Sequence, residues 1–527
     1  MVPEWVIKEL HLREEVKNWI HEAIKRQQNT PWQGGHDEGT FVSSWIGYYL
    51  LTGDNKCLRF LHWLRDSFLE WSKKNQYHGY YPYGEVHHQP EIYNNFLGHL
   101  WRAEKNEINV KVIEDAAHHI GNWIKDVPEW YDWKNHRFRS WQLGTREVRD
   151  YPPYNFEVCD HFRLIQMALN AYLATKDNRY LEISRDYTDK WCKLILESDE
   201  LPTIILPSSD FMEKLEEIEK NGNLDPQVMR AYRAIRHAQG NIQRYIGGKV
   251  LDTLLDLYYL TGEAKYLNAF RKSLDKIILT TSRVPVDIIA RYREITGDKS
   301  YDEIILDLIG NSLEERLPSI LMIEWLGTKK DGKYDVVRKY AFRDEHGNIK
   351  ECKVSSPSNL IIAYKISLDE NLLNKSMSLA QKMLALARTC LRDGREHGCE
   401  GNIYLHGVGE EAVYVLCSVT LGWYKICGGF LPRVLYFRGN GELGLPENVA
   451  SLFKPALEKN EINIILYNNL DSGEHIKIKV MEENYGIKNA YINSSPAVFS
   501  SKEIEVSLKC REKAEVRIIL ASQYDNA

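Results

Sequence analysis

No stretch of the 527 residues approaches about 18 uninterrupted apolar side chains, so no membrane-spanning helix is expected. The N-terminus, Met1-Val2-Pro3-Glu4-Trp5, lacks a basic segment followed by an apolar core, which speaks against a signal peptide. Nine cysteines lie scattered at 57, 159, 192, 352, 390, 399, 417, 427 and 510, with no C-x-x-C pair and no even framework. That usage excludes a disulfide scaffold and fits a reducing compartment, so the expected location is the cytoplasm. Lys- or Arg-rich runs are missing and the formal charge is -6, which leaves no polyanion-binding surface and no nucleic-acid partner. There is also no P-loop, no dinucleotide fingerprint after a strand and no nucleophile elbow, and no cofactor is expected.

What the chain does have is a core-sized apolar fraction of 43% and an aromatic inventory weighted to 31 Tyr and 14 Trp against 14 Phe. Tyr and Trp combine a flat apolar face with a polar handle, which suits stacking on sugar rings and bonding to hydroxyls. The plainer alternative is a large helical core that buries them, but many fall in polar loops.

A degenerate repeat organises the sequence. Leu51-Thr52-Gly53-Asp54, Ala174-Thr175-Lys176-Asp177, Leu260-Thr261-Gly262-Glu263, Ile295-Thr296-Gly297-Asp298 and Ser367-Leu368-Asp369 each separate an apolar helix from a more amphipathic one. Ala103-Glu104-Lys105-Asn106 is the weakest copy. Gly at such a place supplies a left-handed C-cap, and Asp or Asn opens the next helix. Six turns imply six hairpins, and their uneven spacing favours a closed (α/α)6 toroid over a regular solenoid. Residues 201–235 interrupt the pattern as an insertion carrying a surface helix, either a lid or an inert excursion. After about residue 430, short β-branched runs separated by Asn, Gly and Ser clusters predict a small antiparallel β-sandwich. The expected organisation is thus mainly α, with a toroid over 1–429 and a sandwich over 430–527.

Five polar loops run into apolar helices, and their convergence on one cavity is the natural site of such a ring. The first offers Trp32 for stacking and His36, Asp37 and Glu38 for hydroxyls. The second, from Tyr77 to Asn95, holds Tyr83, His87, His88, Glu91, Asn94 and Asn95 at a density few structural loops need. In the third, Tyr154, Glu157, Asp160, His161 and Arg163 are spaced so that acid and base share a helix face. A carboxylate among His161 and Arg163 is open to tuning as acid or base, although a salt-bridged helix start has the same pattern. The fourth supplies Arg244 and Tyr245. The fifth, Arg395 to Glu411, includes Glu400 and His406; it has no ligand-spaced Cys pair and no H-E-x-x-H order, so no metal is expected.

With these loops and turns in hand, the segment Trp32 to Asp54 resembles the first hairpin of the unsaturated glucuronyl and rhamnogalacturonyl hydrolases. The likeness is architectural and covers roughly residues 30 to 425. It implies catalytic acids at the starts of helices before Thr-Gly-Asp turns, where Asp160 and Glu91 stand. The sequence departs from that group at His87-His88-Gln89-Pro90-Glu91, where an Asp is replaced or displaced, and in its C-terminal sandwich. The resulting expectation is a glycoside hydrolase acting on uronic-acid-containing oligosaccharides, with Asp160 as general acid and Glu91 or Asp37 steering water. A lyase is the alternative, with Asn94 or Asn95, His88, Tyr154 and Arg244 neutralising a uronate and removing its C5 proton. An epimerase using His161 and His406, or a non-catalytic repeat scaffold, stands behind these. Oligomeric state is not legible.

Overall fold

The computed structural model describes residues 2–35, 39–220, 225–281, 284–310, 317–328, 334–352, 355–389, 400–422, 424–426, 429–455, 460–481 and 485–522. The fold class is the expected one: mainly α-helical hairpins, followed by antiparallel sheets near the C-terminus. Among the described residues no helix is long and apolar enough to cross a membrane. The chain divides into two compact units. One comprises Met1–Leu64, Ile289–Lys425 and Phe430–Ala527, and the other comprises Arg65–Ile288 with Ile426–Gly429.

The repeat turns share one atomic plan. Thr52, Thr175, Thr261 and Thr296 each donate the side-chain hydroxyl to the carbonyl four residues back, at 2.8, 2.8, 2.7 and 2.7 Å, and Ser367 does the same at 2.9 Å. The same oxygen then accepts the N–H of the acid two residues on, from Asp54, Asp177, Glu263, Asp298 and Asp369. Four of those acids cap the following helix by accepting a backbone N–H two residues later. Between hydroxyl and acid the chain must turn left-handed. Gly53, Gly262 and Gly297 do so at φ +69°, +72° and +75°, but Lys176 and Leu368 adopt φ +59° and +63° in the same place. The weakest sequence copy departs from this plan: Glu104 is extended, and Asn106 caps the next helix through the N–H of Asn109.

Within the second unit the two helices of a hairpin differ as their sequences do. Val250–Thr261 buries residues all round, from Val250 to Leu257, whereas Ala264–Thr280 buries only the stripe Tyr266, Ala269, Phe270, Ser273, Leu274 and Ile277. The insertion forms two helices, Phe211–Lys220 and Pro226–Ala238, the latter capped by Asp225 with Pro226 in its first turn.

In the first unit the N-terminal helix Glu4–Gln27 packs on Glu370–Arg388 and Glu400–Thr420. Its buried pair Glu9–Arg13 closes at 2.5 Å, and Arg13 also donates to the carbonyls of Pro446 at 3.2 Å and Val449 at 3.0 Å. The C-terminal strands form a three-stranded sheet, Val434–Arg438, Glu474–Val480 and Glu503–Leu508. A five-stranded sheet runs in the order Val449–Lys454, Glu461–Asn468, Lys513–Ser522, Tyr485–Ile492, Ser495–Pro496. Period-2 burial, as in Ala514, Val516, Ile518 and Leu520, turns one face of each sheet inward. A further antiparallel sheet, Ile320–Thr328, Tyr334–Arg343 and Ile349–Cys352, lies between the fifth and sixth hairpins. Its β-branched runs fall between helical repeats, and the repeat pattern hid them.

Candidate functional site

The second unit gathers three of the polar loops onto one charged cluster. Asp160 lies in the short 3-10 turn Cys159–His161, directly before helix Phe162–Thr175. Both of its carboxylate oxygens meet Arg244 Nη2, from the single helical turn Arg244–Gly247. That approach depends on Gly248, where a Cβ would lie 2.7 Å from the Cβ and backbone carbon of Cys159. His87 Nδ1 stands 3.2 Å from Asp160 Oδ1 and 3.1 Å from Arg244 Nη2. Protonated at that nitrogen, His87 donates to Asp160; deprotonated there, it accepts from Arg244. Burial pushes the Asp160 carboxyl up, but hydrogen bonds from His87 and Arg244 and the Arg244 charge outweigh it and hold the group well below the usual carboxylate range.

A second guanidinium ties the next carboxylate in. Arg163 meets Glu91 Oε1 through Nη1, and its Nε lies 3.5 Å from Asp160 Oδ1, so one arginine stands between the two acids. The same side chain donates to the carbonyls of His87 at 2.7 Å and Gly247 at 3.2 Å, which locks the loops together. His88 completes the row, with Nδ1 3.0 Å from Glu91 Oε2 and Nε2 3.4 Å from Glu85 Oε1. Glu85 in turn pairs at 3.0 Å with Arg230, which is carried by the inserted helix Pro226–Ala238. Glu85 and Arg230 were not singled out from the sequence. The first sat unremarked in the dense second loop, and the second had no local signal, because its partner is 145 positions away.

Ligating atoms of His87, His88 and Glu91 all lie within 4.8 Å of one another, so these three are the residues that could hold a cation. The Arg163 and Arg244 guanidiniums already on Glu91 and His87 oppose one.

The remaining nominated residues of this unit are placed differently. Glu157 is buried in the two-residue strand Glu157–Val158, 3.3 Å from Lys190; burial, only partly offset by Lys190, pushes it up to about 7. His161 is buried with Nδ1 3.0 Å from the Val158 carbonyl and Nε2 3.1 Å from the Ser140 carbonyl, and burial pushes it down to about 4. Tyr154 is buried, with the Arg149 guanidinium 4.7 Å from its ring centre. Asn94 is buried in the π-helical turn Tyr93–Leu97 and donates to the Arg163 carbonyl at 2.8 Å, while Asn95 beside it is half-buried. Tyr245 is buried and donates to the Pro202 carbonyl at 2.8 Å, and Tyr83 is exposed. In the first unit Trp32 is buried. His36, Asp37 and Glu38 lie outside the described residues, as do the side chains of Glu400 and His406.

No family model matches the chain, and no curated protein matches it in sequence. Solved structures do resemble it. An unsaturated glucuronyl hydrolase from Streptococcus agalactiae is 12% identical, covering 79% of this chain and 92% of its own, at a TM-score of 0.37. A GH127 β-L-arabinofuranosidase from Geobacillus stearothermophilus T6 is 10% identical, covering 99% and 76%, at a TM-score of 0.33. A D-mannose isomerase is 10% identical, covering 75% and 96%, at a TM-score of 0.35. Superpositions this loose decide neither the reaction nor the residues that carry it.

Proposed function

We propose that the chain is a carbohydrate-active enzyme that hydrolyses glycosidic bonds in uronate-containing oligosaccharides, built on an (α/α)6 ring and acting in the cytoplasm. The observation that carries this reading is the pair of carboxylates, Asp160 and Glu91, held on either side of the Arg163 guanidinium with Arg244 and His87 around them. Glycoside hydrolysis needs one carboxyl that can give a proton to the leaving oxygen and one that is ionised. Without substrate, Asp160 is an anion neutralised by Arg244. A uronate carboxylate arriving at Arg244 competes for that guanidinium. Asp160, buried and stripped of its main counter-charge, then rises toward the range in which it carries a proton and serves as general acid. Glu91, oriented by Arg163 and His88, steers the attacking water.

The alternatives find less support. β-Elimination through Tyr154 requires a phenol that reaches substrate, and this one is buried beneath Arg149; through His88 it requires a free ring nitrogen, and both of that ring's nitrogens face carboxylates, Glu91 and Glu85. Epimerisation through His161 requires an available ring nitrogen, and both of its nitrogens face backbone carbonyls.

The test is to incubate the protein with neutral and uronate-containing oligosaccharides while following reducing ends together with the ultraviolet absorbance of unsaturated uronates. New reducing ends without a rise in absorbance, abolished in Asp160→Asn, are the expected result. A fall in absorbance identifies unsaturated uronates as the substrate. A rise, or full activity in Asp160→Asn, overturns the assignment.

A further inference from the structure

The left-handed turn of the sixth hairpin differs from the others in what it presents. Leu368 holds φ +63° and leaves 49% of its surface exposed. An apolar β-unbranched residue there costs about 1 kcal/mol that a glycine would not, and strain of this kind concentrates where a surface is used. Leu368 is not wasted on solvent. It lines a cavity of about 620 Å³ between this turn and the open face of the five-stranded sheet, well inside the 300–1,000 Å³ range of small-molecule sites.

The register of the sheet builds the opposite wall. Lys454 pairs with Asn463, Asn463 with Arg517, and Arg517 with Tyr491, so the four side chains stand in one row across four adjacent strands. At about 4.8 Å per strand the row is about 14 Å long. Glu515 lies one alternate position along the same face, opposite Ile465, and Glu370 faces the row from the helix that follows the turn. Arg517 is steadied by an ion pair with Glu461.

We propose that this cleft is a binding site for a neutral saccharide. Guanidinium, amide and carboxylate side chains each offer two coplanar donors or acceptors, which match adjacent hydroxyls, while Tyr491 and Leu368 offer apolar surface to ring C–H groups. The charges select against an anion: two cations, Lys454 and Arg517, are balanced by two carboxylates, Glu370 and Glu515. The Arg517 charge is met besides by Glu461, so no cation in the row is left in excess for an anion. A protein partner is disfavoured, since the lining is concave and charged rather than broad and apolar. The choice of a sugar among neutral polyols rests on the glycosidase reading above.

The experiment uses the full chain and saturation-transfer NMR with titration by glucose, galactose, xylose, arabinose and glucuronate. At least one neutral sugar should bind, and its binding should weaken about tenfold in Arg517→Ala and in Tyr491→Ala, the effect of losing one hydrogen-bonding or stacking partner, whereas glucuronate held at Arg244 should be indifferent to both changes. Leu368→Gly should weaken binding while raising the unfolding temperature, a pairing that a purely structural role cannot give. Absence of binding by every neutral sugar, or binding indifferent to Arg517→Ala and Tyr491→Ala, overturns the proposal. Sugar binding at the cleft together with no cleavage of any oligosaccharide in the reducing-end assay leaves it standing and sinks the hydrolase reading instead.

Discussion

Replacing Gly53 by Ala isolates a contact that the other turns lack. All three turn glycines have φ near +70°, so alanine in any of them incurs about 1 kcal/mol of left-handed strain. At Gly262 and Gly297 nothing lies within 4 Å of the new methyl. At Gly53 it would sit 1.9 Å from the Leu443 carbonyl oxygen and 3.0 Å from its carbon, and this neighbour is backbone that cannot rotate aside. Moving it strains two bonds that dock the turn, Leu445 N–H to the Leu51 carbonyl at 2.7 Å and Arg438 to the Thr52 carbonyl at 3.0 Å. At about 1 kcal/mol net for each, Gly53→Ala should cost about 3 kcal/mol against about 1 for the other two. Urea unfolding followed by circular dichroism reads the difference as a midpoint shift about three times larger. A Gly53→Ala shift no larger than that of Gly297→Ala would refute the reasoning, since strain alone would then explain all three.

Other expectations follow from the same geometry. Lys176→Gly, which relieves a left-handed lysine at φ +59°, should stabilise by about 0.5–1 kcal/mol in the same denaturation assay. Gly248→Ala should part Arg244 from the Asp160 turn, lowering kcat on uronate substrates more than it lowers the unfolding midpoint. Arg230→Ala removes a half-exposed pair with Glu85, so it should change stability by less than about 1 kcal/mol; if the inserted helix serves the site, KM rises. His119 is pushed down to about 3, from 6.5, by burial and then by the His78 charge. The unfolded chain therefore binds the proton first as pH falls, and the stability His119 confers above about 6.5 drains away toward pH 3. His119→Leu should narrow the gap between unfolding midpoints measured near pH 7 and near pH 5; an unchanged gap refutes the assignment.

The hairpins were readable because their turns are local. A hydroxyl, a left-handed residue and an acid within three positions make every bond that defines the turn, and Lys176 and Leu368 show that the middle residue tolerates departures the flanking pair does not. The strands after residue 430 were equally plain where they are β-branched, as in Glu461–Asn468 and Glu503–Leu508, whereas Val449–Lys454 has a single β-branched residue and gave no such signal. The site was legible only as a set of loops. Nothing in the spacing of His87, Asp160 and Arg244, separated by 73 and 84 positions, says which atoms meet. Nor could it tell Asp160, on the cluster, from Glu157 three residues earlier, whose carboxylate pairs with Lys190 inside the core. Arg230 was missed for the converse reason, since an insertion has no repeat to be read against.

The Arg13 bonds to Pro446 and Val449 have a temporal side. During synthesis the first helix emerges with Val6, Leu12, Val16 and Ile20 along one face and Glu9 among them, all of which are buried in the finished protein. The carbonyls that Arg13 needs are 433 and 436 positions downstream. At about 5–20 residues per second, the ribosome takes about 20–90 s to deliver them. For most of that interval, until Glu370–Arg388 is made, this helix is an oily strip without its main mate, whereas Arg65–Ile288 is by then complete but for Ile426–Gly429. The nascent polypeptide should therefore fold from its middle outward, and a holdase that masks the first 24 or so positions should improve yield more than one recruited anywhere later.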